Sequence, residues 1–196
     1  MDYSTFTAES ASIGNEMLLL DDMTAHARNK AEKLFYLGAG LESIRTTFFR
    51  QVLLGEFELA IHEEIEKGKP LSGARMTEIY YGLLKRYCGD AEGAMKIDPL
   101  YGIEWAYIPH FYSGFYVYQY ATSMAGAAQF TDAIIKEGKP AADRFLALLK
   151  AGGSDYPYEL YKGAGIDMAT PAPYQALIAG MARIMDEIEV LEGQPG

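Results

Sequence analysis

Apolar and small residues recur at helical spacing along most of this chain. From Thr7 to about Asp22 they mix with Glu9, Asn15 and Glu16 with no proline between, which predicts a first helix. A second is predicted between Met23 and Leu37, where Ala25, Ala27, Ala31 and Leu34 favour it. The longest runs from about Leu41 to Lys67. Its apolar positions Ile44, Phe48, Val52, Phe57, Ile61 and Ile65 form one stripe, and Gly68 with Lys69-Pro70 supplies a stop. Another helix is predicted from Gly73 to Cys88, ended by Gly89-Asp90. From Ala91 to Glu104 the pattern lapses, and Asp98-Pro99 reads as a turn. A tyrosine-rich stretch from Trp105 to about Lys136, interrupted early by Pro109, reads as helix because its short alternation from Tyr116 to Tyr120 runs into alanines. Pro140 opens a helix to Lys150, and Gly152-Gly153 breaks it. Thr170-Pro171 is an N-cap and first-turn pair for a last helix whose seam is Leu177, Met181, Ile184, Ile188 and Leu191. No stretch argues for a strand and no repeat is present, so residues 1–196 read as a single all-α, multi-helix domain.

Composition narrows what such a fold can do. The 196 residues are 49% apolar and 22% charged, ordinary for a folded chain, and the formal net charge is −10. That balance repels a phosphate backbone, so nucleic acid is an unsuitable partner. One cysteine, Cys88, excludes an internal disulfide and any multi-cysteine zinc site. No run approaches the ~18 apolar residues of a membrane span, and the start lacks a signal-peptide pattern. A soluble, cytoplasmic protein is expected. Met1 is followed almost at once by Tyr3-Ser4-Thr5-Phe6-Thr7, which reads as a chain that begins inside a larger domain.

The three histidines are the natural place to look for chemistry. His62-Glu63-Glu64-Ile65-Glu66 resembles a helical zinc motif only superficially, because a second imidazole is needed at position 66, which is Glu. His62 is therefore expected to border the core on an acidic helix face, and His26 lies in a polar context. His110 differs. The segment WAYIPHFYSGFYVYQY, residues 105–120, holds eight aromatic side chains, five of them tyrosine. Such a cluster forms either an aromatic core under a loop or a cleft wall that displays phenols beside a histidine. The second arrangement can polarise a carbonyl. Glu9 and Glu16, seven residues apart, share a helix face. The small neighbours of Glu9, Ala8, Ser10, Ala11 and Ser12, let another helix approach it.

Four separated segments together resemble one family. FTAESASIGNEMLL (6–19), SIRTTFFRQVLLGEFELAIHEEIEKGKPL (43–71), IEWAYIPHFYSGFYVYQYATS (103–123) and GGSDYPYELYKGAGIDMATPAPYQALI (152–178) are similar, in collinear order, to the oligoendopeptidase F family of thimet-oligopeptidase-like zinc metallopeptidases. The resemblance implies the C-terminal portion of a mainly helical catalytic domain, with a deep cleft that admits short unstructured peptides. It also implies zinc in the complete enzyme, held by two histidines and a more distant glutamate. Glu9 matches that glutamate, and Glu16 matches the acidic residue two turns later that supports the site. His110 matches the histidine that contacts substrate or the transition state. The family's phenols at five, nine and twelve residues after this histidine fall here on Phe115, Gln119 and Thr122, so Tyr116 and Tyr120, one residue later, are the matched catalytic candidates. Tyr112 and Tyr118 are candidates for binding substrate.

The sequence departs from the family in one respect: His-Glu-x-x-His, the source of both histidine ligands and the general base, is absent. A single carboxylate cannot hold catalytic zinc. The chain alone is expected to bind no zinc and to be inactive, with self-association or pairing with the missing N-terminal portion covering its cut face. A peptide-binding module that does not cleave, and a structural partner in a split peptidase, stand as alternatives to the peptidase fragment.

Overall fold

Helix starts follow the side chains able to cap them. In the computed structural model, which describes residues 4–193, α1 (Thr5–Ala25) begins behind Ser4, whose hydroxyl accepts the Phe6 N–H at 3.3 Å. Asn29 opens α2 (Lys30–Ile44) by accepting the Glu32 N–H at 2.9 Å, and Ser72 opens α4 (Gly73–Tyr87) by accepting that of Arg75 at 3.2 Å. Between α2 and α3 (Arg50–Glu66) lies one π-helical stretch, Arg45–Phe49. The remaining helices are α5 (Tyr118–Glu137), α6 (Lys139–Ala151), α7 (Pro157–Gly163) and α8 (Ala172–Glu192). Two 3-10 segments, Pro99–Tyr107 and Pro109–Tyr112, precede α5. No strand occurs among the described residues, and no described helix is long and apolar enough to cross a membrane.

The all-α expectation holds, with four local corrections. The first helix runs three residues past Asp22, and the second starts at Lys30 rather than Met23, because Asn29 is the residue placed to cap it. The predicted break between Leu37 and Leu41 is absent. Gly40 lies inside α2 for a packing reason: a Cβ there would stand 3.1 Å from Leu20 and 3.4 Å from Ile184. Residues 105–117 are 3-10 and turn rather than α-helix. Pro99 and Pro109 each start a 3-10 segment, where the missing N–H is harmless, and Phe115 has φ 55°, which ends helical continuity. Thr170 does not cap α8; its hydroxyl donates to the Asp167 carbonyl at 2.8 Å instead.

By contacts the chain forms two compact units, Phe49–Tyr118 and the described residues of Met1–Phe48 with Gln119–Gly196. In the latter, α2 packs on α1 and α8, and α6 packs on α7. The stretch Ser123-Met124-Ala125-Gly126-Ala127-Ala128 of α5 is buried throughout, so other elements approach that helix closely. Tyr161 of α7 exploits this. A Cβ at Gly126 would lie 2.6 Å from its ring. Its fully buried phenol hydrogen-bonds the Ser10 hydroxyl of α1, and its ring meets Phe6 edge-on at 5.8 Å. Nearby, the Ser123 hydroxyl donates to the Phe6 carbonyl at 3.0 Å. Met17 and Leu20 of α1 line a cavity of about 460 Å³ among α1, α2, α5 and α8.

The other unit is built on Phe57 of α3, which is fully buried. Its ring lies 5.2 Å from Tyr80 of α4 and 5.4 Å from Phe111, and it leans on Trp105 at 6.3 Å. Leu53, Leu54, Leu83, Leu84, Ile97 and Val117 complete this core. Polar groups at its margin are paired. Trp105 donates its indole N–H to Thr77 at 3.1 Å, and Glu104 accepts from Tyr80 at 2.8 Å and from Arg50 at 2.5 Å.

Burial pushes the Tyr161 phenol up from 10.0 to about 12. A raised folded-state value means that this contribution is complete below pH 10 and is lost as pH climbs from 10 through 12. Its size is up to about 2–3 kcal/mol, at 1.36 kcal/mol per pH unit. Tyr161→Phe is expected to lower stability at pH 7 by about 1–3 kcal/mol, because the buried Ser10 hydroxyl loses its partner. The variant should also lose less stability than wild type between pH 10 and pH 12. Urea unfolding followed by far-UV circular dichroism at these pH values checks both, and equal alkaline losses in the two proteins would contradict the account.

Candidate active site

His110 directly precedes Phe111, and Tyr116 directly precedes Val117. Phe111 packs against Phe57 at 5.4 Å, and Val117 is fully buried in the same core. Each anchor leaves its neighbour nearer the surface: His110 is exposed and Tyr116 half-buried. Their rings stack 5.6 Å apart with planes 30° from parallel. An imidazole N–H and a phenol O–H are both hydrogen-bond donors, and the stacking brings the two rings that carry them together.

The turn that delivers Tyr116 to His110 is conformationally demanding. Among the described residues, Phe115 is the one non-glycine with positive φ. Its N–H donates to the Glu58 Oε1 of α3 at 2.7 Å, and its ring lies 4.8 Å from that of His62. Glu58 is 2% exposed, and its Oε2 has no hydrogen-bond partner among the described residues. His62, expected to border the core, is exposed and meets the ring of Phe115, itself 42% exposed; Glu58 was passed over. The available signal was its spacing of four from the buried Leu54, which puts a carboxylate on the apolar face of α3.

The other predicted residues are distributed as follows. Tyr112, at the end of the second 3-10 segment, is 95% exposed, and Tyr118, the first residue of α5, is 41% exposed. Tyr120 lies one residue beyond Gln119 on α5, in the unit that also contains α1, and is half-buried. On α1, Glu9 is half-buried and accepts the Ser12 hydroxyl at 2.9 Å, while Glu16 is exposed and borders the cavity lined by Met17 and Leu20. Asn15 turns back on its own helix, donating to the Ala11 carbonyl at 2.7 Å.

Among the described residues, no group of three or more His, Cys, Asp or Glu side chains is arranged to hold a metal ion. Catalytic zinc takes three protein ligands and an open position. The described residues therefore do not fit a zinc site by themselves; Glu9 is at most one ligand of it.

Comparison with known proteins places these features in a family. The pattern that describes peptidase family M3 matches residues 1–179. Oligopeptidase PepF of Bacillus subtilis is 44% identical over 190 residues, which cover 97% of this chain and 28% of that protein. An oligoendopeptidase F homolog of Borreliella burgdorferi is 37% identical over 96% of this chain and 31% of its own length. The crystal structure of oligoendopeptidase-F from Enterococcus faecium superimposes with a TM-score of 0.88 at 35% identity, over 96% of this chain and 36% of that one. The chain thus spans roughly three tenths of the curated relatives it matches, corresponding to their C-terminal part. By sequence and by fold, it belongs to peptidase family M3.

Proposed function

We propose that this chain forms the substrate-facing C-terminal part of a zinc-dependent oligoendopeptidase that hydrolyses short unstructured peptides. The observation that carries the reading is the stacked His110–Tyr116 pair, held on a buried aromatic platform in a chain of family M3. In this reading Glu9 is the carboxylate that the chain contributes to the metal, and Glu16 supports the site from two turns away. The remaining metal ligands and the general base come from the portion of the relatives that this chain does not span.

The chemistry of the chain's own residues follows from what they can donate. The His110 imidazole N–H and the Tyr116 O–H bind the carbonyl oxygen of the scissile peptide. They stabilise the negative charge that grows on that oxygen as its carbon becomes tetrahedral. Pre-stacking matters because a ring already in place needs no reorganisation when the charge develops. Tyr112, which lies between the two residues of the pair along the chain, and Tyr118, two residues beyond it, are both exposed and contact the peptide beyond the cleaved bond; Tyr120 of α5 is the second candidate phenol. The partner is the peptide itself, together with the segment that completes the metal site. A net charge of −10 disfavours nucleic acid.

These roles separate in a protein joining this chain to a segment that carries His-Glu-x-x-His. Glu9→Gln is expected to lose both tightly held zinc and turnover. His110→Ala should keep its zinc while kcat falls ~10²–10³-fold, the usual effect of one lost oxyanion donor. Zinc content by elemental analysis and turnover of a quenched fluorescent peptide provide the two readouts. Loss of zinc from His110→Ala would make His110 a ligand instead, and no change in either readout would make it a structural histidine. Tyr116→Phe keeps the stacked ring and removes only the hydroxyl, so it is expected to lower kcat more than Tyr120→Phe does. The opposite order would transfer the donor role to Tyr120.

A further inference from the structure

One face of α3 carries three residues whose only evident common purpose is to shape the chain from Phe115 to Tyr118. Gly55, Glu58 and His62 follow at spacings of three and four, so they form a single stripe. At Gly55 a Cβ would stand 3.1 Å from the Tyr118 Cβ, so glycine there lets the segment lie against the helix backbone. One turn on, the Glu58 Oε1 takes the Phe115 N–H at 2.7 Å. One further turn on, the His62 ring takes the Phe115 ring at 4.8 Å. Phe115 is thus held by its backbone and by its side chain from two residues of the same helix.

That grip coincides with an unfavourable conformation. Phe115 has φ 55°, a region that bulky L-residues avoid. Glu58 is itself a costly residue to bury, since its Oε2 finds no partner among the described residues and only the Phe115 N–H offsets the loss of hydration at Oε1. Two unfavourable features sustain each other next to Tyr116, which stacks on His110 at 5.6 Å.

We propose that Glu58 is a positioning residue for the His110–Tyr116 pair. It stabilises the left-handed turn at Phe115, which directs the Tyr116 ring onto His110, and His62 reinforces it by packing on the Phe115 ring. The catalytic meaning of this rests on the peptidase reading above. The positioning does not, and it can be tested in the 196-residue chain without any activity.

The test uses heteronuclear NMR of the full chain. In wild type, ring-to-ring nuclear Overhauser contacts between His110 and Tyr116 are expected, with a protected Phe115 amide. Glu58→Ala should remove those contacts and speed Phe115 amide exchange at least ~10-fold, while far-UV circular dichroism keeps its helical signal. Glu58→Gln retains an acceptor oxygen and should keep both. Glycine adopts positive φ without strain, so adding Phe115→Gly to Glu58→Ala should restore the His110–Tyr116 contacts. The proposal is overturned if Glu58→Ala leaves the ring contacts and the exchange rate unchanged. It is equally overturned if Glu58→Gln, with its helical signal intact, loses them, and this second arm decides the matter should Glu58→Ala not fold. Failure of the peptidase reading would appear instead in the zinc and turnover measurements, with the NMR result unaffected.

Discussion

The phenol of Tyr161 sits where a helical protein has little room for one, and the helices around it are adapted to that ring. It is fully buried, its ring occupies the space that a Cβ at Gly126 would fill, and its hydroxyl finds the hydroxyl of Ser10. A buried hydroxyl without a partner costs about as much as several good contacts supply, so the Ser10 bond fixes how α1 meets α5 and α7. Ser10 is the residue next to Glu9. The interaction that satisfies the phenol therefore also sets the direction in which α1 presents its carboxylate, and it links the packing of the fold to the residue proposed as a metal ligand.

Unit Phe49–Tyr118 applies the same logic with different chemistry. Phe57 gathers Tyr80, Trp105 and Phe111 into one aromatic core, and polar groups at its margin are matched: the indole by Thr77, the Tyr80 phenol by Glu104, and Glu104 in turn by Arg50. Such pairing constrains Tyr80 and Trp105 by both shape and hydrogen bonding, while Phe57 and Phe111 are held by shape. His110 and Tyr116 are sequence neighbours of Phe111 and Val117, which belong to this core, and in the proposed role they meet the peptide. Rigid support under a donor pair is what the proposed role needs if the pair is to stabilise a developing charge without first rearranging.

Much of this was legible in the sequence, and what was missed has identifiable causes. The end of α4 was readable because Gly89-Asp90 is a local stop, and the α6 start was readable because Pro140 fits a first turn. The separation expected between Leu37 and Leu41 is absent because Gly40 inside α2 lets Leu20 and Ile184 approach the helix, contacts from residues far away in the chain. Thr170 failed as a cap because its hydroxyl found the nearer Asp167 carbonyl. Residues 105–117 looked helical since tyrosine and alanine tolerate helix, whereas prolines and a hydrogen bond from Phe115 to Glu58, 57 residues away, decided otherwise. His110 and Tyr116 could be named from the resemblance. Their stacking, and the helix stripe that holds the turn between them, are products of tertiary contact that no local pattern encodes.

The account stands on the claim that this chain carries part of a peptidase site that another segment completes. The most direct measurement pairs it with Bacillus subtilis oligopeptidase PepF shortened by the region that this chain matches. Cleavage of a quenched fluorescent peptide would be followed as the chain is titrated in, with complex formation verified by analytical ultracentrifugation. The account predicts that neither piece cleaves alone, and that activity appears on mixing and saturates at one chain per shortened PepF. Cleavage by shortened PepF without the chain, or a verified one-to-one complex that does not cleave, would contradict it.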